Sequence, residues 1–124
     1  MRKDMNMEEV CKGDPAWEGT VTGVVRFIYY TLKSNGEVDH NFNDFEEGEI
    51  LVTEMTDIEF VPTMRRAAAI LTRIGGVLCH AAIISRELNK PCIVGMRDSI
   101  DTLNTGDHIT VNATKGIVYR EKVS

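Results

Sequence analysis

The 124-residue chain has no excess of basic residues, no CxxC pair and no long apolar run, and each absence closes off a class of function. Lysine and arginine total 14 against 19 aspartates and glutamates, a formal charge of −5. The basic residues are scattered, so the surface is not built to neutralise nucleic-acid phosphates, and no nucleic-acid partner is expected. No stretch approaches the ~20 apolar residues of a membrane span. The opening Met1-Arg2-Lys3-Asp4-Met5-Asn6-Met7-Glu8-Glu9 lacks the apolar segment of a secretory signal. A cytoplasmic location without a membrane partner is therefore expected. Cys11, Cys79 and Cys92 are an odd number of cysteines, which fits reduced thiols better than a disulfide framework. Internal repeats and low-complexity tracts are also missing.

What is present fits one soluble folding unit. An apolar share of 43% and a charged share of 27% are ordinary for a globular domain, and the length suits a single core. Residues 1–9, charged and without apolar periodicity, read as a flexible leader, and residues 10–124 as the domain.

The segment from Gly13 to Gly19, punctuated by Pro15, reads as a loop in which Trp17 packs rather than binds a ligand. Thr20 to Tyr30 is rich in β-branched and aromatic residues, the composition of a strand, with Gly23 marking a bulge or bend. Asn35-Gly36 is the strongest turn signal in the chain. His40, among Asp39, Asn41 and Asp44, reads either as solvated or as a metal ligand. Ile50-Leu-Val-Thr53 is a buried strand, and Asp57 caps a helix that carries Phe60, Val61 and Met64 on one face. A further strand from Ala68 runs up to Gly75-Gly76. Cys92-Ile-Val94 is another buried strand, Met96 to Thr105 a polar link, and Gly106 to Arg120 a hairpin with His108 on its surface. Together these predict an α/β domain with a small parallel core.

The chain is organised around Gly75-Gly-Val-Leu-Cys-His-Ala-Ala-Ile-Ile-Ser-Arg-Glu-Leu88. The spacing predicts a short helix opening at His80, with Ala81, Ile84 and Leu88 facing a core, Ile83 broadening that face, and Ser85, Arg86 and Asn89 turned away. The paired glycines allow a sharp turn and leave room for a bound group, and the first amides of the helix favour an anion. A neutral imidazole there offers a nucleophilic nitrogen. Three other readings stand beside it. His80 packs beneath the turn; Cys79, a thiol at a helix start, is the nucleophile; or Cys79, His80 and Cys92 bind zinc, a set that lacks a fourth ligand at suitable spacing.

At these residues the chain resembles the phosphohistidine, or mobile swivelling, domain of the phosphoenolpyruvate-utilising enzymes. The family includes phosphoenolpyruvate synthase, pyruvate phosphate dikinase and enzyme I. The resemblance begins at Gly13-Asp-Pro-Ala16 and Gly19-Thr-Val-Thr-Gly-Val-Val-Arg26. It continues through Ile50-Leu-Val-Thr-Glu-Met-Thr-Asp57 and Ala67-Ala-Ala-Ile-Leu-Thr72 and peaks between Gly75 and Gly95. It implies a three-layer β/β/α swivelling fold in which His80 is transiently phosphorylated, on Nε2, above a supporting turn of Gly75, Gly76, Leu78, Cys79 and Ala81. The chain itself would then bind no metal or cofactor. ATP, magnesium and phosphoenolpyruvate would sit on ATP-grasp nucleotide-binding and phosphoenolpyruvate/pyruvate-binding domains, in partner chains or a parent enzyme. Cys79 matches a position where the synthases carry Cys and the dikinases Ser. Leu78 stands where most relatives have Thr, so regulatory phosphorylation there is not expected; some antibiotic-phosphorylating relatives also carry Leu. The resemblance implies a phosphoryl carrier, a component of a phosphotransferase that is not active alone. The competing expectation is a non-catalytic docking or regulatory module with the same fold.

Overall fold

In the computed structural model, which describes residues 7–121, ten strands and two α-helices build a mixed α/β domain. The strands are β1 (Met7–Lys12), β2 (Asp14–Trp17), β3 (Thr20–Phe27), β4 (Tyr30–Leu32), β5 (Val38–His40), β6 (Ile50–Thr53), β7 (Ala69–Thr72), β8 (Cys92–Val94), β9 (His108–Asn112) and β10 (Ile117–Glu121). The helices are α1 (Val61–Arg66) and α2 (His80–Leu88). Eight strands form one continuous sheet in the order β1-β10-β9-β3-β6-β7-β8-β2, and β4 and β5 form a separate hairpin.

The long sheet folds over on itself at β3. Thr20 to Val24 pair antiparallel with β9, and Val25 to Phe27 pair parallel with β6. The partner switch, between Val24 and Val25, comes one residue after Gly23, where a Cβ would press to 3.2 Å on the Ile50 side chain. Gly23 itself pairs with Ile109 without a register shift, so the strand carries no bulge there.

Three layers result. One face of the parallel strands, through Ile50, Val52, Ala69, Leu71 and Ile93, packs against Cys11, Ile109, Val111 and Val118 of the antiparallel half. The opposite face, through Leu51, Ile70, Cys92 and Val94, packs against Phe60, Met64 of α1, and Ala81, Ile84 and Leu88 of α2. Burial on both faces explains why these strands read as unbroken apolar runs rather than alternating ones.

Four sequence expectations are corrected. Met7 to Glu9, assigned to a leader, are the start of β1 and pair with β10. Their charges suit an edge strand whose Glu8 and Glu9 face solvent while Cys11 reaches the core; residues 1–6 lie outside the described residues. The Gly13 to Gly19 loop contains β2, and Pro15 is accommodated because β2 lies at the sheet edge, with a register shift between Pro15 and Trp17.

The helix faces differ too. Ser85 is fully buried and Ile83 is 42% exposed. At 100° per residue, Ile83 lies about 160° around α2 from Ala81 and Ser85 only about 40°. Ala81, Ala82 and Ser85 are small enough to bring α2 down onto the sheet. Finally, the supposed polar link contains a 3-10 helix, Arg97–Thr102, and buries Met96, Ile100 and Leu103 at spacings of four and three.

Candidate functional site

The loops that follow the three parallel strands β6, β7 and β8 meet at one end of the sheet. Crevices outside the carboxyl ends of parallel strands are where open α/β sheets bind ligands. The loop after β7 turns at Gly75, whose φ is +129°, and runs into α2 at His80. A Cβ on Gly75 would lie 2.7 Å from Cys79 Sγ, so the turn closes only with glycine. The loop after β8 enters at Gly95, also at positive φ (+62°), where a Cβ would meet the Gly75 carbonyl at 2.9 Å. Backbone bonds from Arg73 N–H to the Thr53 carbonyl, Ile74 N–H to the Glu54 carbonyl and Met96 N–H to the Thr72 carbonyl tie the three loops together.

His80 is the first residue of α2 and is half-buried. Its Nδ1 lies 2.8 Å from Oγ1 of Thr56, a residue only 4% exposed in the loop after β6. The tautomer decides which partner donates. When Nδ1 carries the proton it donates to the hydroxyl, and Nε2 keeps its lone pair for attack on an electrophile. Cys79 occupies the N-cap without a side-chain capping bond. The first backbone amide of the helix to find a partner is Ile83, which bonds the Cys79 carbonyl at 3.0 Å. The amides of His80, Ala81 and Ala82 therefore have no protein acceptor among the described residues. Unpaired amides at a helix start, beside a nucleophilic nitrogen, make a site suited to a phosphoryl group.

The residues expected in the supporting turn take distinct places. Gly75 and Cys79 are in contact, and Gly76 faces open space, with no atom within 4 Å of where a Cβ would stand. Ala81 turns its methyl into the core, leaving only its amide at the site. Leu78 is 81% exposed. Cys79 packs against the same core cluster as Cys92, whose thiol burial pushes up to about 12, far from reactivity at neutral pH. No group of three or more His, Cys, Asp or Glu among the described residues is placed to hold a metal ion. His40 stacks on Phe42 at 4.8 Å and meets Phe60 edge-on, and His108 is exposed on β9.

The sequence did not single out Thr56. Its neighbour Asp57 provides the expected cap, accepting from the Glu59 amide at 2.9 Å. The available signal was a hydroxyl residue just beyond the end of a buried parallel strand. The far end of α2 is pinned by Asn89 in the left-handed conformation and by Trp17, whose indole N–H donates to Asn89 Oδ1 at 2.8 Å.

The geometry defines an α/β domain with a histidine in an anion-attracting helix start, held by a buried threonine. Residues 45–116, more than half of the chain, match the family model of the PEP-utilising enzyme mobile domain, and the chain belongs to that family. It is 44% identical over 113 residues to phosphoenolpyruvate synthase of Pyrococcus furiosus, covering 91% of this chain and 13% of that protein. A probable phosphoenolpyruvate synthase of Archaeoglobus fulgidus is 45% identical over 112 residues, covering 90% of this chain and 14% of the relative. The chain thus spans about one-eighth of the length of these relatives. A solution structure of an enzyme I protein superposes with a TM-score of 0.55 at 27% identity, over 65% of this chain and 34% of that one.

Proposed function

We propose that this chain is a phosphoryl carrier that holds the group transiently on Nε2 of His80 and passes it between a nucleotide or phosphoenolpyruvate site and an acceptor site on partner domains. The observation that carries the reading is the fixed imidazole: in a mobile-domain chain, Nδ1 is tied to Thr56 and the ring stands at the uncapped start of α2. In the transfer, the Nε2 lone pair forms the P–N bond as the donor P–O bond breaks. The leaving oxygen keeps the bonding electrons. The Nδ1 proton stays with the ring, donated to Thr56 Oγ1, and the free amides of the first helical turn donate to the phosphoryl oxygens. Return transfer reverses these steps at the second site.

ATP, magnesium and phosphoenolpyruvate belong to the partner domains in this reading. The chain supplies the nucleophile and the anion cradle alone. Incubating it with a catalytic partner of the phosphoenolpyruvate synthase type and labelled donor should give a base-stable, acid-labile phosphoryl group. The label should vanish in His80→Ala, and label retained by that variant would sink the assignment.

A further inference from the structure

We propose that the groove between the β4–β5 hairpin and the loop carrying Thr56 docks a basic, apolar-faced helical segment of the protein that exchanges the phosphoryl group with His80. The inference rests on the carrier reading and names the chemistry of its partner. A cavity of about 780 Å3 opens there, with Tyr29, Tyr30, Val38 and Met55 among its walls. These four side chains are 57%, 59%, 55% and 57% exposed. Among the described residues the hairpin pairs with no other strand, and a two-stranded ribbon of this kind is marginal unless its apolar side chains are covered. Large exposed apolar patches on soluble domains mark interaction sites.

Charge selects the occupant. Glu54, Asp57 and Glu59 line the groove, and Arg73 is the one lysine or arginine among its described lining residues. Arg73 is already bonded to Glu54 at 2.8 Å and to Asp101, with Asp98 3.7 Å away. Neither Asp57 nor Glu59 has a cationic partner among the described residues. An acidic rim around an aromatic floor complements lysines and arginines flanking an apolar stripe. It repels a free phosphorylated ligand. The groove also shares a loop with the site, because Thr56, which holds His80, lies between the lining residues Met55 and Asp57. A segment seated there brings its protein up against the phosphoryl-bearing ring.

The test is an NMR titration of the isotopically labelled whole chain with a synthetic amphipathic helix of leucine and lysine, and with its leucine–glutamate counterpart. Shifts should cluster at Tyr29, Tyr30, Val38 and Met55 with the basic peptide only, and should weaken with salt. Asp57→Asn combined with Glu59→Gln, which keeps the capping group and the side-chain shapes, should weaken binding about fivefold, the loss expected for two exposed ion pairs. Equal affinity of that variant, equal binding of the acidic peptide, or shifts centred elsewhere would overturn the proposal. Phosphoryl labelling is read in parallel. Groove binding without label at His80 supports the groove and counts against the carrier reading; label at His80 without groove binding does the reverse.

Discussion

Replacing Thr56 by valine removes the hydroxyl that holds His80 and keeps the branched shape of a side chain only 4% exposed. The bond lost is a single part-buried contact of 2.8 Å. Such a bond contributes about 1 kcal/mol net, and because His80 is half-buried, its ring can turn Nδ1 toward water and spare the larger penalty of an orphaned group. Two readouts follow. Thermal stability should fall by about 4 °C, as about 1 kcal/mol does in a domain of this size. Single-turnover transfer from the partner to His80 should slow about fivefold, since the loss of about 1 kcal/mol of the Nδ1–H to Oγ1 bond that orients the reactive ring is worth that factor. Ring nitrogen shifts measured by NMR report the tautomer directly, and Thr56→Ser should recover both rate and tautomer. An unchanged rate together with an unchanged tautomer in Thr56→Val would show that Thr56 does not position the ring.

The glycine pair should separate cleanly: Gly75→Ala, at positive φ and against Cys79 Sγ, should cost about 2 kcal/mol or more, while Gly76→Ala, facing open space, should change unfolding free energy by under about 0.5 kcal/mol. Denaturant melts of the two variants make the comparison. Ser85→Ala removes a buried hydroxyl that meets no hydrogen-bond partner among the described residues and improves helix propensity, so it should stabilise the chain by about 1 kcal/mol in the same assay. Burial holds the Cys11 and Cys92 thiols at about 11 and about 12, above the ordinary 9.0. Both therefore keep their protons more tightly when folded. Their contribution is complete below 9.0 and is lost as pH rises toward those values, by about 1.4 kcal/mol per pH unit for each thiol. Urea midpoints at about pH 8 and about pH 10 should show the fall, with a shallower slope in Cys92→Ala.

The parallel strands were legible because burial on both faces leaves an unbroken apolar run, as at Ile50 to Thr53 and Cys92 to Val94. Asn35-Gly36 marked the β4–β5 turn for an equally local reason, with Gly36 at φ +87°. The placement of His80 at the first residue of α2 was also open to local reading. Elements defined by their neighbours were not. β1 and β2 are edge strands whose charges and proline are tolerated only because one side has no partner. Ser85 counts as polar in any periodicity, yet the close approach of α2 to the sheet requires a small side chain rather than an apolar one. Thr56 reaches His80 across 24 positions of sequence, a contact that exists only once β6 and β7 lie side by side.

The proposed carrier cycle puts the phosphoryl group on Nε2 of His80 while Nδ1 stays bound to Thr56. Heteronuclear NMR of the chain after incubation with donor and partner reads both nitrogens at once. Phosphorus coupling at Nε2 of His80 and a protonated Nδ1 are expected in the phosphorylated chain; coupling at Nδ1, or phosphate on any other residue, would overturn the assignment.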